Sequence, residues 1–404
     1  MLQIDKMRSE FPILKTMVYG KPLVYLDNSA TTHKPQCVIE RLCEFYRSEN
    51  SNIHRGEHYL CEIASTAYEE AREKVKHYIN AKQANEVIFT AGTTASINLL
   101  AYTIGQSIRE NDEIIISHME HHSNIIPWQV ICQQRKAHLK ILEIHDDEDD
   151  TIEALNELIS LRTRLVAVTY VSNVLGTILP VKRIIDVAHK YSIPVMIDAA
   201  QAVQHIPIDV QDLDCDFMVF SGHKMYAGTG IGVFYGKAHL LEDLPPYQTG
   251  GGMILQVSFS ETKYGTLPYK FEAGTSNIAG AVSLGAAIDF LTDIGIENIH
   301  EYENDLFKYA SEQLNTIPEM IQYGENSKRT GAISLNIKDL HSYDIAMILD
   351  KLGIAVRVGT HCAEPLMHYL DIKGTLRASF ALYNTKEDVD RLVAGIKKAI
   401  NMLQ

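Results

Sequence analysis

The chain is expected to fold in the α/β class, with a mainly parallel sheet covered by helices on both faces. The first reason is rhythm. From about Glu86 onward, short apolar runs recur as EVIFT (86–90), EIIIS (113–117), LKILEI (139–144), LVAVTYVS (165–172), PVMIDAA (194–200) and FMVFSG (217–222), with helix-patterned stretches such as VKRIIDVAHKY (181–191) between them. The second is composition. The runs carry Val and Ile almost continuously instead of alternating with polar residues, which suits strands buried on both faces of a parallel sheet.

A 404-residue chain that is 46% hydrophobic can bury a large core and is long enough for two or three domains. A Gly/Pro/Tyr-rich stretch around Leu244–Gly274, with GGG at 250–252, marks a change of composition. Beyond it the pattern predicts a long amphipathic helix from about Ala279. Then come AISLNI, a helix near Tyr343–Leu352, AVRVG, TLRASFAL and a closing helix, which together read as a smaller α+β unit. Thr385 and Asp388 supply a capping box for that last helix, and Val389, Leu392, Val393, Ile396 and Ile400 mark its buried face. The expected organisation is residues 1–20 as an N-terminal segment belonging to the small domain, 21–280 as the large domain and 281–404 as the small C-terminal domain.

The formal charge of −14 leaves nothing to neutralise a phosphate backbone or an anionic membrane, so neither nucleic acid nor membrane is an expected partner. The densest charged run, HDDEDD at 145–150, lies between a strand pattern and a helix pattern and is expected to be a solvated turn. The N-terminal MLQIDKMRSE lacks the apolar stretch of a signal peptide, and the expected setting is cytoplasmic. Six cysteines (37, 43, 61, 132, 215, 362) show no CxxC spacing, which argues against a disulfide framework or a zinc ribbon; most are expected to be small buried residues.

Chemistry is concentrated in a few segments. In VFSGHKMYAGTGIG (219–232) an apolar strand ends at Ser-Gly-His and then presents Lys224 among small residues. Desolvation there would lower the amine's pKa and make it a Schiff-base candidate, although a lysine in a turn is more often a surface residue. Asp198 closes the buried VMID run and needs a partner. The protonated pyridine nitrogen of pyridoxal phosphate (PLP) would serve, and so would a helix end. In FTAGTTASINLL (89–100) a strand, a glycine and two threonines open a helix, a phosphate-binding arrangement in which Thr94 is the expected contact. HMEHHSNIIPW (118–128) holds His118, His121 and His122; no third metal ligand lies nearby, and a ring stacked on a cofactor is an equally good use for one of them. GTGIG (228–232) precedes the strand-like VFY instead of opening a helix, so it is not read as a dinucleotide fingerprint. RVGTHCAEPL (357–366) sets Cys362 in a polar, glycine-flanked loop beside Arg357 and His361, either of which could favour the thiolate.

Taken together these segments resemble the class V aminotransferase family of fold-type I PLP enzymes, and within it the SUF-type cysteine desulfurases. The resemblance runs from VYLDNSATTHKP to EDVDRLVAGI and includes HRG, MEHH-NI-PW, VSNVLG, DAAQAV, FSGHK-Y, FEAGT, GIAVR-G-HCA-PL and RAS-ALYNT. Thr360 stands where close relatives usually have a second histidine, Ser276 where they often have proline, and Ala95 where they often have glutamate. The resemblance implies a seven-stranded, mainly parallel large-domain sheet, PLP as cofactor and no metal. It also implies that Lys224 forms the Schiff base with PLP and acts as base at the substrate Cα, that Asp198 pairs with the pyridine nitrogen, that Gln201 bonds the ring oxygen, and that His121 stacks on the ring as a further catalytic group. Thr94, Ser221 and His223 would hold the phosphate, joined by Thr275 from a second subunit, which makes the enzyme a homodimer. Arg377 would grip the substrate carboxylate as a planar fork, with Asn173, His54 and Arg357 also at the substrate.

The implied reaction converts L-cysteine to L-alanine. Cys362 takes the sulfur as a persulfide and passes it to an acceptor protein of the SUF system for iron–sulfur cluster assembly. The alternatives are a selenocysteine lyase acting on L-selenocysteine, or another class V PLP enzyme that needs no cysteine. A catalytically silent scaffold should lack Lys224, Asp198 or Cys362, all of which are present.

Overall fold

A computed structural model describes residues 3–404; Met1 and Leu2, which open the expected 1–20 segment, lie outside the described residues. Seven strands build the main sheet: β1 (Val87–Thr90), β2 (Glu113–Ser117), β3 (His138–Leu142), β4 (Thr163–Thr169), β5 (Val195–Asp198), β6 (Phe217–Ser221) and β7 (Gly232–Gly236). Their order is β1-β7-β6-β5-β4-β2-β3. Neighbours from β3 through β6 pair in parallel, whereas β7 is antiparallel to both β1 and β6. The reversal follows from connection length. Only Gly222–Ile231 separates β6 from β7, too short for a crossover helix, so the chain turns back beside the strand it has just left. Lys224 sits in that turn.

The principal helices are α1 (Gln36–Glu44), α2 (Tyr59–Tyr78), α3 (Thr93–Gly105), α4 (Ile126–Arg135), α5 (Glu148–Leu158), α6 (Val181–Lys190), α7 (Ile278–Ile294), α8 (Ile296–Leu314), α9 (Ser342–Lys351), α10 (Glu364–Tyr369) and α11 (Lys386–Leu403). Strands β2, β5, β6 and β7 are buried at every position, as unbroken apolar runs require, and only the edge strand β3 is largely uncovered. Successive side chains feed opposite faces. Val166 and Val168 join the core under α2, α6 and α7, while Leu165 and Ala167 join the one under α3 and α4, where Trp128 is fully buried.

A second, antiparallel sheet of β8 (Met320–Gln322), β9 (Ala332–Ile337), β10 (Arg357–Gly359) and β11 (Thr375–Ser379) runs in the order β8-β9-β11-β10 and packs with α8, α9 and α11 around its own core. Val24 and Leu26 belong to that core, because Val24–Tyr25 pairs in parallel with Ile354–Ala355. The capping box at Thr385 and Asp388 is present, and Val389, Leu392, Val393, Ile396 and Ile400 are buried.

Three features differ from the pattern-based expectation. Helix α7 is not amphipathic over its first two turns; every residue from Ile278 to Gly285 is buried, because α1 and α2 flank it. The acidic run is only partly a turn. Asp147 caps α5, and Glu148, Asp149 and Asp150 occupy its first turn, where carboxylates favour the positive end of the helix dipole. Of the six cysteines, all free, three are buried (Cys61, Cys132, Cys215) and three exposed (Cys37, Cys43, Cys362). Among the described residues no single helix is long and apolar enough to cross a membrane.

One buried ion pair anchors the segment that leads into α7. Arg72, on α2, donates from Nη1 and Nη2 to the two carboxylate oxygens of Glu272 at 2.7 and 2.9 Å. Glu272 also accepts from the Phe89 amide at 2.8 Å and the Tyr68 hydroxyl at 2.9 Å. Removing Glu272 leaves the Phe89 amide and Tyr68 hydroxyl without their acceptor, while Arg72 keeps Glu69 at 2.9 Å and the Val87 carbonyl at 2.7 Å. Glu272→Ala is therefore expected to cost about 2–3 kcal/mol, read as a lowered urea midpoint; a loss below about 1 kcal/mol would contradict the role assigned to the pair.

Candidate active site

The carboxyl ends of β5 and β6, the turn after β2, the N-terminus of α3 and the ends of β10 and β11 converge on one cavity of about 260 Å³. Open α/β sheets bind ligands at this end of their strands. Of the residues expected from the sequence, the cavity is lined by Lys224, Asp198, Gln201, His121, Thr94, Ser221, His223, Asn173, Arg357, Arg377 and Cys362.

At one end, Gly92 lets the chain pass from β1 into α3 with φ of +144°, and a Cβ there would lie 3.3 Å from Ser221 Oγ. Ser221 Oγ accepts from the Thr93 amide at 2.8 Å and shares a second 2.8 Å bond with the Thr93 hydroxyl. Thr94 and Ser123 hydroxyls are 2.7 Å apart, and His223 Nδ1 is 3.2 Å from Thr31 Oγ1. A helix N-terminus with clustered hydroxyls is suited to an anion.

In the middle, Asp198 is buried and its Oδ1 accepts from the Ala200 amide at 2.9 Å. Burial pushes this carboxyl up, opposed by that amide and by the Lys224 charge. Lys224 is lowered to about 8, chiefly by burial, with Asp198 pulling it upward and Arg377 pushing it further down. His121 is lowered to about 4 by burial and by Lys224, so its ring is neutral at pH 7, with Nδ1 accepting from the Ser123 amide at 3.1 Å. Gln201 donates to Ser29 O at 2.7 Å. Beneath His121, the buried Glu120 accepts from the Asn124 amide group at 2.7 Å, the Thr169 backbone amide at 2.9 Å and the Ser117 hydroxyl, which ties the histidine turn to the end of β4.

At the other end, Arg357 and Arg377 stand directly opposite each other on β10 and β11. Like charges in that position repel. Asp27 lies between them, accepting from Arg357 Nε and Nη2 at 2.9 and 2.7 Å and from Arg377 Nη2 at 3.3 Å. Arg377 also donates to Asn173 O at 2.8 Å, and its buried Nε has no hydrogen-bond partner among the described residues. Burial lowers Arg377 to about 10, with Asp27 opposing.

Cys362 is exposed toward the cavity from a loop whose His361 and Cys362 both have left-handed φ, +53° and +57°. Such a conformation costs a non-glycine residue about 1–2 kcal/mol. Three contacts hold the loop: the His122 amide donates to Cys362 O at 2.8 Å, Asn173 Nδ2 donates to His361 O at 2.8 Å, and His361 Nε2 lies 2.9 Å from Thr375 Oγ1. His361 is lowered to about 3, first by burial and then by Arg377, so it is a neutral brace and not a cation beside the thiol.

Two expected residues lie elsewhere. His54 does not line the cavity; its Nε2 is 2.9 Å from Glu69 Oε1, and its ring packs edge-on against Tyr269. Thr275 is exposed in the loop before α7, outside the cavity of its own chain. Residues not singled out from the sequence also line the cavity, including Thr93, Ser123, Ser29 and Thr169. Thr93 was within reach, since GTT supplies two threonines; Asp27 and Glu120 gave no signal because their roles come from contacts across the fold.

The class-V aminotransferase domain family matches residues 24–392. The chain belongs to the class-V aminotransferase family. A probable cysteine desulfurase of Halalkalibacterium halodurans is 50% identical over 398 residues, covering 98% of each chain, and a cysteine desulfurase of Shigella sonnei is 47% identical over 402 residues, covering 99% of each. Among solved structures, the cysteine desulfurase CsdA of Escherichia coli is similar with a TM-score of 0.92 at 38% identity, covering 100% of this chain and 99% of its own. An apo cysteine desulfurase of Thermococcus onnurineus gives 0.93 at 36% identity, covering 99% of both chains. Within this family frame, the lowered Lys224 is directly measurable. Reductive methylation of Lys224 in the cofactor-free protein, followed by mass spectrometry, should reach half its maximal rate near pH 8, whereas exposed lysines rise toward about 10.4. A Lys224 profile that tracks the exposed lysines would contradict the desolvated site.

Proposed function

We propose that the chain is a PLP-dependent cysteine desulfurase that converts L-cysteine to L-alanine and takes the sulfur as a persulfide on Cys362. The observation that carries this reading is one cavity lined at once by a lysine lowered to about 8, a buried aspartate, a buried arginine with an unpaired Nε and an exposed cysteine. Relatives named cysteine desulfurase at 47 and 50% identity over nearly the full chain favour it over a selenocysteine lyase.

The residues present fit PLP. Thr94, Ser221 and His223 would hold its phosphate, Asp198 would pair with the pyridine nitrogen, Gln201 would bond the ring oxygen, and neutral His121 would offer a flat face for stacking. When bound through Lys224, PLP supplies an electron sink for the carbanion formed at the substrate Cα.

The chain's own residues do the rest. Arg377 binds the substrate carboxylate through its guanidinium, steadied by the Asn173 carbonyl, which accepts from Nη1; Arg357 keeps Asp27 engaged so that Arg377 stays in place. Lys224, lowered to about 8 and so partly deprotonated as the pH approaches that value, is suited to move the Cα proton. Cys362 attacks as the thiolate: a bond forms between its Sγ and the substrate sulfur, the C–S bond breaks with its electron pair kept by the carbon skeleton, and that skeleton gains a proton to become alanine. The persulfide left behind is then passed to an acceptor thiol on a protein of the SUF type, serving iron–sulfur cluster assembly.

The working unit in this proposal is a homodimer. Thr275, exposed on its own subunit, completes the phosphate site of the second, and the Arg72–Glu272 pair fixes the base of its loop. His54, directed to Glu69 and Tyr269 on the same side as that loop, would serve the substrate only across such an interface. Six free cysteines suit a reducing, cytoplasmic setting. For the domains, the expected boundary at 20/21 moves: Val24 and Leu26 join the core of the small unit, so we begin the large unit after them. The expected boundary at 280/281 falls inside α7, whose buried residues join the large core, so a division after Ile294 keeps that helix whole.

Cys362→Ala is expected to retain an absorbance band near ~420 nm once PLP is bound. Its alanine production from cysteine should fall at least about 100-fold. Turnover at the unchanged rate would sink the desulfurase reading, and a protein that PLP cannot colour would sink the cofactor assignment.

A further inference from the structure

Glu364, the first residue of α10, lies two positions beyond Cys362 and has an exposed side chain. Its carboxylate is nevertheless engaged twice. Oε1 accepts from the Thr360 hydroxyl at 3.0 Å, and Oε2 lies against His122 Nε2. The Glu364 backbone amide donates to the same nitrogen at 3.2 Å. His122 also grips the loop through its main chain, whose amide donates 2.8 Å to Cys362 O, and it follows directly on His121. Thr360, Glu364 and His122 thus close a ring of contacts around the two left-handed residues that present the thiol.

We propose that Glu364, clasped between Thr360 and His122, is a positioning residue for Cys362. It holds the strained cysteine loop against the turn that carries His121, so that Sγ faces the cavity. Thr360 is part of this device: a hydroxyl at that position donates to Glu364 and needs no second imidazole in the loop. The proposal rests on the reading of Cys362 as the nucleophile. Glu364 itself does not line the cavity.

The test uses PLP-loaded enzyme with three variants, E364A, E364Q and T360V. In E364A, amide hydrogen exchange over 359–366 should quicken by about tenfold. The kcat for alanine formation should fall about 5- to 10-fold, while KM for cysteine and the absorbance of the bound cofactor hold. T360V should move both readouts in the same direction by less. E364Q, which keeps an oxygen for the Thr360 hydroxyl and an amide able to pair with His122 Nε2, should recover most of the lost rate. Exchange in E364A equal to wild type, or faster exchange with kcat intact, overturns the proposal. Failure of the underlying reading looks different: Cys362→Ala would then turn over cysteine normally, whatever the exchange data report on the clasp.

Discussion

Arg357 and Arg377 face each other across an antiparallel ladder, and this end of the cavity depends on Asp27 lying between them. Left alone, two opposed guanidinium groups would drive the strands apart or turn their side chains away. Asp27 reaches them because Val24–Tyr25 adds in parallel to Ile354–Ala355, so an early segment of the chain is laid beside the late one. The result is an imbalance: one carboxylate serves two cations, and the buried Arg377 keeps an Nε with no hydrogen-bond partner among the described residues.

The same balance extends across the cavity. Arg357, Arg377 and Lys224 face only Asp27 and Asp198 within a chain of net charge −14, so an otherwise acidic protein presents a local positive pocket to an anionic ligand. The histidines add no charge at pH 7, because burial lowers His121 and His223 to about 4 and His361 to about 3. Neutral imidazoles can stack, accept and brace without opposing the lysine. Lys224 gains reactivity from the same desolvation, while Cys362 stays exposed on a strained loop held by contacts to Asn173, Thr375 and His122.

Much of this was legible in the residues. Continuous Val/Ile runs identify strands buried on both faces, and the Ser-Gly-His end of the FMVF run marks the place where Lys224 is presented, whereas the antiparallel return of β7 shows only in the structure. Asp198, Ser221 and Thr94 could be placed because each sits at a strand end or helix start, where position along the chain dictates position in the site. What could not be read depends on distant segments meeting. The Asp27 bridge joins residues 330 and 350 positions apart. Glu120 gains its role from Thr169, and His361, expected as a possible cationic neighbour of the thiol, is instead kept neutral by burial. Helix α7 reads as amphipathic in a linear pattern, yet it is buried because α1 and α2 both pack on it.

In the proposed reaction sulfur leaves L-cysteine onto one thiol of this chain. Intact-protein mass spectrometry after a single addition of L-cysteine to PLP-loaded enzyme, without acceptor or reductant, reads that transfer. A gain of ~32 Da, one sulfur atom, mapped by peptide analysis to Cys362, is expected. A mass that stays unchanged while alanine accumulates, or a gain mapped to Cys37 or Cys43, would contradict it.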